Sequence, residues 1–177
     1  MPFFCIFFVL FFLLLFSGAF WRAPWLPTKK EDYPTIAKLA QLKKDTIFYD
    51  LGSGTGEMLF YFSKKYGANC VGIEISPLLY FYSKIRSLFK KKIKIFYGDF
   101  FHHDLSKADV VFIFGHPKLY EKIRKKLIKE LKNEAKIILA CWPFEKVAPL
   151  SIKKGNSGVR YYLYKKTSLM EGPIKNI

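Results

Sequence analysis

Three acidic residues and a run of glycines are the part of this sequence best suited to chemistry. Asp50 is followed by Leu-Gly-Ser-Gly-Thr-Gly. A strand-like segment, Thr46–Asp50, precedes this run, and an amphipathic segment that begins at Met58 follows it. The glycines therefore fall at a predicted strand-to-helix turn, where the backbone can approach a ligand closely and the free N–H groups of the helix face it. This context indicates a site for a nucleotide-like cofactor.

The spacing of the glycines narrows the class of cofactor. A dinucleotide fingerprint, G-x-G-x-x-G, would require glycine at position 57, where this sequence has Glu57. A phosphate-binding loop would end in G-K-[ST], and this run does not. The pattern is instead D-x-G-x-G-x-G, which resembles motif I of the class I S-adenosylmethionine (SAM) methyltransferases. The resemblance implies that Asp50 lies near the amino group of SAM. It also implies a cofactor-binding loop made of Gly52, Ser53, Gly54 and Gly56.

Two further acidic residues end the next two predicted strands. Cys70–Glu74 is predicted to be a strand with Glu74 at its end, where a carboxylate can accept hydrogen bonds from both hydroxyls of a ribose. The third strand, Ile93–Tyr97, leads to Asp99, where the methyltransferase family has an acid that contacts the adenine amino group. Three neighbouring strand ends would thus carry three acids. We expect these acids to bind SAM, together with Phe100.

A narrower resemblance begins before the glycine motif. Pro24-Trp-Leu-Pro-Thr28 resembles the P-[YF]-V-P-[ST] segment of the membrane-associated protein-lysine methyltransferases of mitochondria, which modify the c subunit of ATP synthase or the adenine nucleotide translocase, and of their small prokaryotic relatives. In this chain Trp and Leu replace the usual aromatic and Val. Further similar segments are Glu74-Ile-Ser-Pro77, Asp104-Leu-Ser106 and Cys141-Trp-Pro-Phe144. The resemblance implies that the methyl acceptor is a lysine side chain of a membrane or membrane-associated protein.

The ends of the fourth and fifth predicted strands would face this acceptor. Val110–Phe114 is followed by Gly115-His-Pro117, and not by the [DN]-P-P-[YF] of enzymes that methylate DNA adenine or glutamine. By resemblance, the acceptor side would be shaped by Thr28, His116, Trp142 and Phe144. The aromatic rings would attract an alkylammonium by about 0.5–2 kcal/mol. Helix capping by the histidine and core packing of the two aromatics are equally good interpretations.

An acceptor lysine must lose its proton before it attacks, and its ordinary pKa is about 10.4. Burial in an apolar channel would lower that pKa, so a dedicated general base is not required. Three alternatives stay open. The chain could methylate RNA or another nucleic acid, it could methylate a small molecule or lipid, or it could be a membrane protein that binds SAM without catalysis.

The composition is that of one domain with a basic surface. The 177 residues are 51% hydrophobic and 19% aromatic, which suffices for one core but not for two domains. The formal net charge is +16, and such an excess can attract nucleic acid, anionic lipid or an acidic protein. Because 26 of the 30 basic residues are Lys, biased amino-acid usage explains the charge equally well.

Neither the cysteines nor the histidines form a metal-binding or disulfide pattern. Cys5, Cys70 and Cys141 include no C-x-x-C pair and lie in apolar or strand-like segments. This is typical of small core residues in a reducing compartment. His102 and His103 lie in a predicted loop without a third ligand at suitable spacing. We therefore expect no metal.

The N-terminus is apolar enough to enter a membrane. Phe3–Phe20 contains no charged residue, and eighteen helical residues at about 1.5 Å each nearly span a hydrocarbon core of about 30 Å. Ser17-Gly-Ala19 leaves a cleaved signal peptide as the alternative. Basic residues follow the apolar run and none precedes it, which favours a cytoplasmic location for the rest of the chain. We expect a transmembrane anchor over 1–21, a linker with a short helix over 22–45, and the methyltransferase domain over 46–177.

Strand-like and helix-like segments alternate from Thr46 to Ala140, which is typical of an α/β fold. The chain closes with Val147–Ile152, a glycine-rich turn and Val159–Tyr164, which we predict to form an antiparallel hairpin. Together with the resemblance, this order predicts a Rossmann-like seven-strand methyltransferase sheet. The sheet would be mostly parallel with helices on both faces, and one N-terminal transmembrane helix would precede it.

Overall fold

The computed structural model describes residues 27–170 together with Ile6. Residues 27–170 contain seven strands, five α-helices and three short 3-10 helices. The strands are β1 (Ile47–Leu51), β2 (Asn69–Glu74), β3 (Ile93–Tyr97), β4 (Val110–Ile113), β5 (Lys136–Ala140), β6 (Ser151–Lys154) and β7 (Arg160–Lys165). The helices are α1 (Tyr33–Ala40), α2 (Glu57–Tyr66), α3 (Pro77–Ser87), α4 (Tyr120–Glu130) and α5 (Lys166–Met170).

The strands form one mixed sheet in the order β3-β2-β1-β4-β5-β7-β6. Strands β1 to β5 are parallel, while β7 is antiparallel to both β5 and β6. This confirms the predicted seven-strand sheet with its terminal hairpin. The strand order reverses between β1 and β4, and ligands of open α/β sheets bind beyond the carboxyl ends of the strands at such a point.

Helices cover both faces of the sheet. On one face, Ile36 of α1 and Phe62 of α2 are fully buried against the sheet. On the other face, Ile123 and Leu127 of α4 are fully buried. Burial of each such side chain stabilises the fold by about 1.5–3 kcal/mol. The sheet is thereby held between two apolar layers, and its carboxyl edge carries the loops.

The segment ahead of β1 belongs to the same core. Asp32, just before α1, is completely buried, and its carboxylate accepts hydrogen bonds from the Tyr161 hydroxyl (2.8 Å) and the Ser157 backbone N–H (2.9 Å). The Ser157 hydroxyl donates a further bond to the same carboxylate. These bonds join α1 to the β6–β7 hairpin near the other end of the chain. Residues 32–40 therefore fix the hairpin as well as connecting to the sheet.

The sixth strand lies later in the chain than the sequence predicted. The prediction was Val147–Ile152, whereas β6 covers Ser151–Lys154 and pairs with β7 from Ser151 to Lys154. Pro149 has no N–H group to donate to a neighbouring strand. Val147 is buried in the core, so its apolar character reflects packing of the preceding loop and not a strand.

The predicted transmembrane anchor over 1–21 lies, apart from Ile6, outside the described residues, and so do Pro24, Trp25 and Leu26. Within residues 27–170, no helix has the length and apolar character needed to cross a membrane. The anchor therefore remains a prediction from the sequence.

Candidate functional site

The glycine-rich loop joins β1 to α2 at the carboxyl edge of the sheet. Gly52, Gly54 and Gly56 have positive φ angles of 91°, 55° and 75°, which residues other than glycine rarely adopt. The backbone N–H groups of Gly52 and Ser53 both donate to the carbonyl of Ile73, at 2.9 and 3.1 Å. The loop is therefore held against β2, and its glycines are required by its backbone conformation.

Gly72 of β2 allows this close packing, and it was not among the residues selected from the sequence. A Cβ atom at Gly72 would lie 2.5 Å from Ser53 Oγ and 2.6 Å from Leu59 Cδ1. Because no side chain is present there, the loop and the first turn of α2 pack directly on the strand. The signal in the sequence was an isolated glycine within an apolar strand, which indicates close approach of another segment.

Glu74, at the end of β2, determines how the loop is held. Its carboxylate is buried; Oε2 accepts a hydrogen bond from the Gly54 N–H (2.7 Å) and Oε1 accepts one from the Ser76 N–H (2.8 Å). Burial raises the pKa of Glu74, although these two bonds act in the opposite direction. The backbone N–H of Ile75 also acts on this carboxylate. Because a carboxylate has about four acceptor sites, Glu74 can hold the loop and still accept a hydrogen bond from a ligand hydroxyl.

Asp50 is a buried carboxylate beside Glu74. In the sheet register it pairs with Gly72 of β2 and Phe112 of β4. Burial and the nearby charge of Glu74 raise the pKa of Asp50 to about 8. Among the residues described, none donates a hydrogen bond to its carboxylate. The ionised group thus lacks a protein counter-charge, and a ligand ammonium would supply one.

Ser53 shows a similar deficit. Its buried Oγ has no hydrogen-bond partner within the described part of the chain. It lies next to Gly72 of β2, the residue that pairs with Asp50 in the sheet. A buried polar group without a partner is unfavourable by about 1–3 kcal/mol. Loop and strand end are therefore built with unsatisfied polar groups, which is suited to a polar, cationic ligand.

Tyr33, in the first turn of α1, is another group near Asp50 that the sequence did not reveal. Its side chain is buried against the rings of Tyr61 and Phe62, with ring centres 5.3 and 5.9 Å away. Burial, together with the charges of Asp50 and Glu57, raises the pKa of its phenol. No local pattern carries this information, because the proximity arises from packing α1 onto the sheet.

The third predicted acid lies at the end of the next strand. Asp99 follows β3, and its carboxylate accepts a hydrogen bond from the Phe101 N–H (3.0 Å) at the start of a short 3-10 turn, Phe100–His102. Phe100 is half-buried and stacks on Phe101 with ring centres 4.5 Å apart. The structure therefore brings the three predicted acids to the ends of three adjacent parallel strands. Their contacts with a cofactor remain predictions.

The predicted acceptor residues divide into exposed and buried ones. His116 follows β4 and is exposed, and its Nδ1 accepts a hydrogen bond from the Lys118 N–H (3.2 Å). It thus caps the 3-10 turn Pro117–Leu119, one of the two roles considered. Trp142 follows β5, the strand beside β4, and its side chain is 43% exposed. These two side chains lie at neighbouring strand ends and are accessible.

Phe144 is in the core, where it was predicted to pack if it did not line the acceptor channel. Its side chain is 3% exposed and lies between Tyr120 and Tyr164, with ring centres 5.6 and 5.1 Å away. Its backbone N–H donates to the Tyr164 hydroxyl (3.1 Å). Phe144 therefore fixes the loop that carries Trp142 and does not itself face solvent.

Thr28 lies two residues before a cation that pairs with the helix after the glycine loop. It is half-buried and precedes Lys30, whose ammonium pairs with the Glu57 carboxylate at 3.1 Å. Glu57 is the first residue of α2 and directly follows Gly56. The ion pair thus joins the segment that contains Thr28 to the start of α2.

The surroundings of the two described cysteines do not favour a reactive thiolate. Burial raises the pKa of the Cys70 thiol to about 12 and also raises the pKa of Cys141. A raised pKa leaves little thiolate at neutral pH. In residues 27–170, no cluster of three or more His, Cys, Asp or Glu side chains is arranged to hold a metal ion. Cys5 lies outside the described residues.

The sheet order, the glycine loop and the acidic strand ends define a methyltransferase-type Rossmann-like domain. A sequence profile of the ANTKMT methyltransferase domain matches residues 50–151, which is more than half of the chain. The chain belongs to this family. The family resemblance predicted from the sequence is thus confirmed.

Similar sequences occur among characterised proteins. The ATP synthase c-subunit lysine N-methyltransferase of Homo sapiens is 29% identical over 129 residues, which cover 71% of this chain and 54% of that protein. A protein-lysine N-methyltransferase of Saccharolobus islandicus is 28% identical over 155 residues, which cover 80% of this chain and 92% of that protein. The chain therefore spans about half the length of the human relative and nearly all of the Saccharolobus one.

Similar solved structures support the fold. An RNA methyltransferase from Salinibacter ruber, crystallised with S-adenosyl-L-homocysteine, superposes with a TM-score of 0.73 at 27% identity over 79% of this chain and 93% of that one. A SAM-dependent methyltransferase from Thiobacillus denitrificans gives a TM-score of 0.59 at 21% identity over 83% of this chain and 59% of that one. At such identity the second structure shows the fold alone.

Proposed function

We propose that this chain is a SAM-dependent protein-lysine N-methyltransferase whose substrate is a membrane or membrane-associated protein. The observation that carries the cofactor part of the proposal is Asp50: a buried carboxylate with a pKa of about 8, no donor among the described residues, and a glycine loop directly after it. Its family and the two lysine methyltransferases similar in sequence support the same activity.

The loop and the three acids would hold the cofactor. Asp50 would face the ammonium of the methionine part, Glu74 the ribose hydroxyls, and Asp99 the adenine amino group, with Phe100 beside the base. The backbone of the loop would complete the contact through Gly52, Ser53, Gly54 and Gly56. When bound, SAM supplies a methyl group on a sulfonium as the electrophile. The acceptor site that remains on Glu74 and the missing counter-charge of Asp50 support these roles.

The remaining task of the protein is to bring a neutral lysine into line with the methyl group. The exposed ring of Trp142 would stack on the alkyl chain and the ammonium of the acceptor, with His116 and Thr28 at the rim. Phe144 would keep the Trp142 loop in place. Removal of water from the lysine lowers its pKa and favours the neutral amine. Positioning and desolvation are thus the contributions of this chain.

The proposal also covers where the protein is located in the cell. Residues 1–21 would anchor the chain in a membrane by a single pass, with the catalytic domain in the cytoplasm. The uncharged run Phe3–Phe20 and the basic residues that follow it support this orientation. An anchored enzyme of this size meets substrates at the same membrane, so we propose an acceptor lysine close to the bilayer surface.

RNA is the second candidate acceptor. It is favoured by the net charge of +16 and by the similarity to the Salinibacter ruber RNA methyltransferase. Binding through this charge would weaken steeply as salt is added. Methylation of a lysine acceptor would not require such a steep dependence of binding on salt.

The test is transfer of isotopically labelled methyl groups from SAM, with the full chain incubated with membranes of the source organism or with its total RNA. Labelled bands are digested and assigned by mass spectrometry. Asp50→Asn is the test variant, and Glu134→Gln, at an exposed carboxylate paired with Lys165, is the matched acid-to-amide control. We expect label on a lysine of a membrane protein for the wild type and the control, and loss of label for Asp50→Asn. Label in RNA alone would favour the second candidate. Absence of label despite SAM binding would contradict catalysis.

A further inference from the structure

Helix α3 has its polar and apolar faces reversed relative to an ordinary core helix. The residues of α3 that are buried are Ser83 and Ser87. Large apolar side chains point outwards instead, with Phe81 61% exposed and Ile85 65% exposed. The exposed set continues past the end of the helix: Leu78, Phe81, Tyr82, Ile85, Leu88 and Phe89. Their spacing of three to four residues places the helical members on one stripe.

The small residues on the inner face have a structural reason. Ser83 Cβ lies 3.5 Å from the position that a Cβ on Gly56 would occupy, so α3 packs closely on the glycine loop. The Ser83 and Ser87 hydroxyls are satisfied by bonds to carbonyls of the preceding turn. Close packing thus explains the serines. It does not explain an outer stripe of large apolar residues, and an exposed patch of this kind marks an interaction site.

The charges around the stripe identify its partner. Between Glu74 and Asp99 the sequence has six basic residues and no acidic one. Two of the six are paired, Arg86 with Glu57 and Lys92 with Asp45. Within the described residues no ion pair involves the other four, which are Lys84, Lys90, Lys91 and Lys94. The stripe is therefore bordered by uncompensated positive charge, complementary to an anionic surface.

The stripe also lies near the point where the described chain begins. Glu57 pairs with both Lys30 (3.1 Å) and Arg86 of α3. One carboxylate thus holds the first described residues beside α3. The residues between Phe20 and Pro27 can span only about 20–25 Å when fully extended. The outer face of α3 is therefore within short reach of the apolar run that the sequence predicts to enter a membrane.

We propose that the outer face of α3, extended by Phe89 and the lysines that follow it, docks on the surface of an anionic lipid bilayer. Its aromatic and aliphatic side chains enter the headgroup region while the lysines contact lipid phosphates. The surface rests on the geometry of α3 and not on the methyl transfer proposed above.

Docking has a consequence for the site. Helix α3 begins at Pro77, three residues after Glu74 at the end of β2. Docking along the whole helix would therefore bring the carboxyl end of β2 towards the bilayer at one end of the surface. Phe89 and the lysines that follow it would contact the bilayer near the opposite edge of the sheet, where β3 begins.

Lysine acylation followed by mass spectrometry tests the surface in the full chain. The chain is mixed with vesicles of phosphatidylcholine alone or of phosphatidylcholine with an equal amount of phosphatidylglycerol, and then treated briefly with an acylating reagent. Lys90, Lys91 and Lys94 report on the proposed surface. Lys153 and Lys154, exposed on β6 at the opposite edge of the sheet, are internal controls. We expect labelling of the first set to fall several-fold with the anionic vesicles, and labelling of the controls to stay constant.

Two variants separate docking from simple charge attraction. The first variant combines three substitutions on the stripe, Phe81→Ser, Ile85→Ser and Phe89→Ser. The control variant combines Leu150→Ser and Ile152→Ser, at exposed apolar residues in and next to β6. All five side chains are exposed, so both variants should fold. We expect protection to be lost in the first and kept in the second. The proposal would be overturned by equal labelling with both kinds of vesicle or by protection that is retained in the triple variant. Protection that grows with protein concentration in the absence of lipid would also overturn it, and would indicate that a second copy of the chain covers this face.

Discussion

The Glu74 carboxylate accepts a hydrogen bond from the backbone N–H of Gly54, with 2.7 Å between Oε2 and the nitrogen. This bond joins the end of β2 to the middle of the glycine loop, and the second oxygen is bonded to the N–H of Ser76. The loop is therefore in place before any ligand arrives. A preformed loop lowers the conformational entropy lost on binding, so the same acid can serve both stability and affinity.

Glu74→Gln should lower both the stability of the protein and its affinity for SAM. The amide has one acceptor oxygen, so either the Gly54 N–H or the Ser76 N–H would face an NH₂ group. We expect the free energy of unfolding to fall by about 1–3 kcal/mol in urea titrations. Glu134→Gln, at an exposed acid, is the control and should change it by less than about 0.5 kcal/mol. Equal stability of the two variants would show that the Glu74 bonds do not hold the loop.

Binding of SAM should release a proton. Burial and the charge of Glu74 raise the pKa of Asp50 to about 8, so at about pH 7 the carboxyl group of the free protein is mostly protonated. A ligand ammonium favours the ionised form, so affinity should rise between about pH 6 and about pH 7.5, below the ordinary pKa of an amino group. Calorimetry at about pH 7 in two buffers of different ionisation enthalpy measures the proton. Identical heats in both buffers would contradict an ion pair with Asp50.

Much of the fold was predictable because it depends on local patterns. β3 has the predicted bounds, and β1, β2 and β4 differ from theirs by a residue at one or both ends. Continuous apolar runs that end in Gly, Asp or Glu identify such strands well. The three acids could be placed at one edge for the same reason, since parallel strands share their carboxyl edge.

The contacts between distant segments could not be predicted. Tyr33 comes close to Asp50, and Asp32 to Ser157, only because α1 packs across the sheet. No spacing in the sequence encodes that distance. Phe144 and Trp142 illustrate a second limit, because two aromatics in one loop have opposite burial. Which one is exposed depends on whether a cavity between Tyr120 and Tyr164 exists to receive it.

Gly155→Ala should be strongly destabilising. A Cβ at this position would lie within 2.7 Å of both carboxylate oxygens of Asp32, which are held by Tyr161 and Ser157. Either the hairpin or α1 must move, so we expect a loss of about 1–3 kcal/mol in the free energy of unfolding. Gly115→Ala, whose Cβ would meet Ile113 at an ordinary 3.8 Å, is the control. Equal melting temperatures would mean that the Asp32 cluster does not constrain the hairpin.

Asp32→Asn should change the acid dependence of stability. Burial acts to raise the pKa of Asp32, but hydrogen bonds from Ser157 and Tyr161 lower it below its ordinary value. A lowered folded-state pKa stabilises the fold above the unfolded-state value of about 3.9, and this stabilisation is lost as pH falls through the folded-state pKa. Urea titrations from about pH 5 down to about pH 2 should therefore show the wild type converging on the variant. A constant difference across that range would contradict this assignment.

The measurement that tests the central claim most directly is the affinity of the full chain for SAM, by titration calorimetry, for the wild type, Asp50→Asn and Glu134→Gln. The proposed site predicts one SAM bound per chain, at least about tenfold weaker binding for Asp50→Asn through loss of about 1.4 kcal/mol or more, and unchanged binding for Glu134→Gln. Failure of the folded wild type to bind SAM, or equal affinities for the wild type and Asp50→Asn, would contradict it.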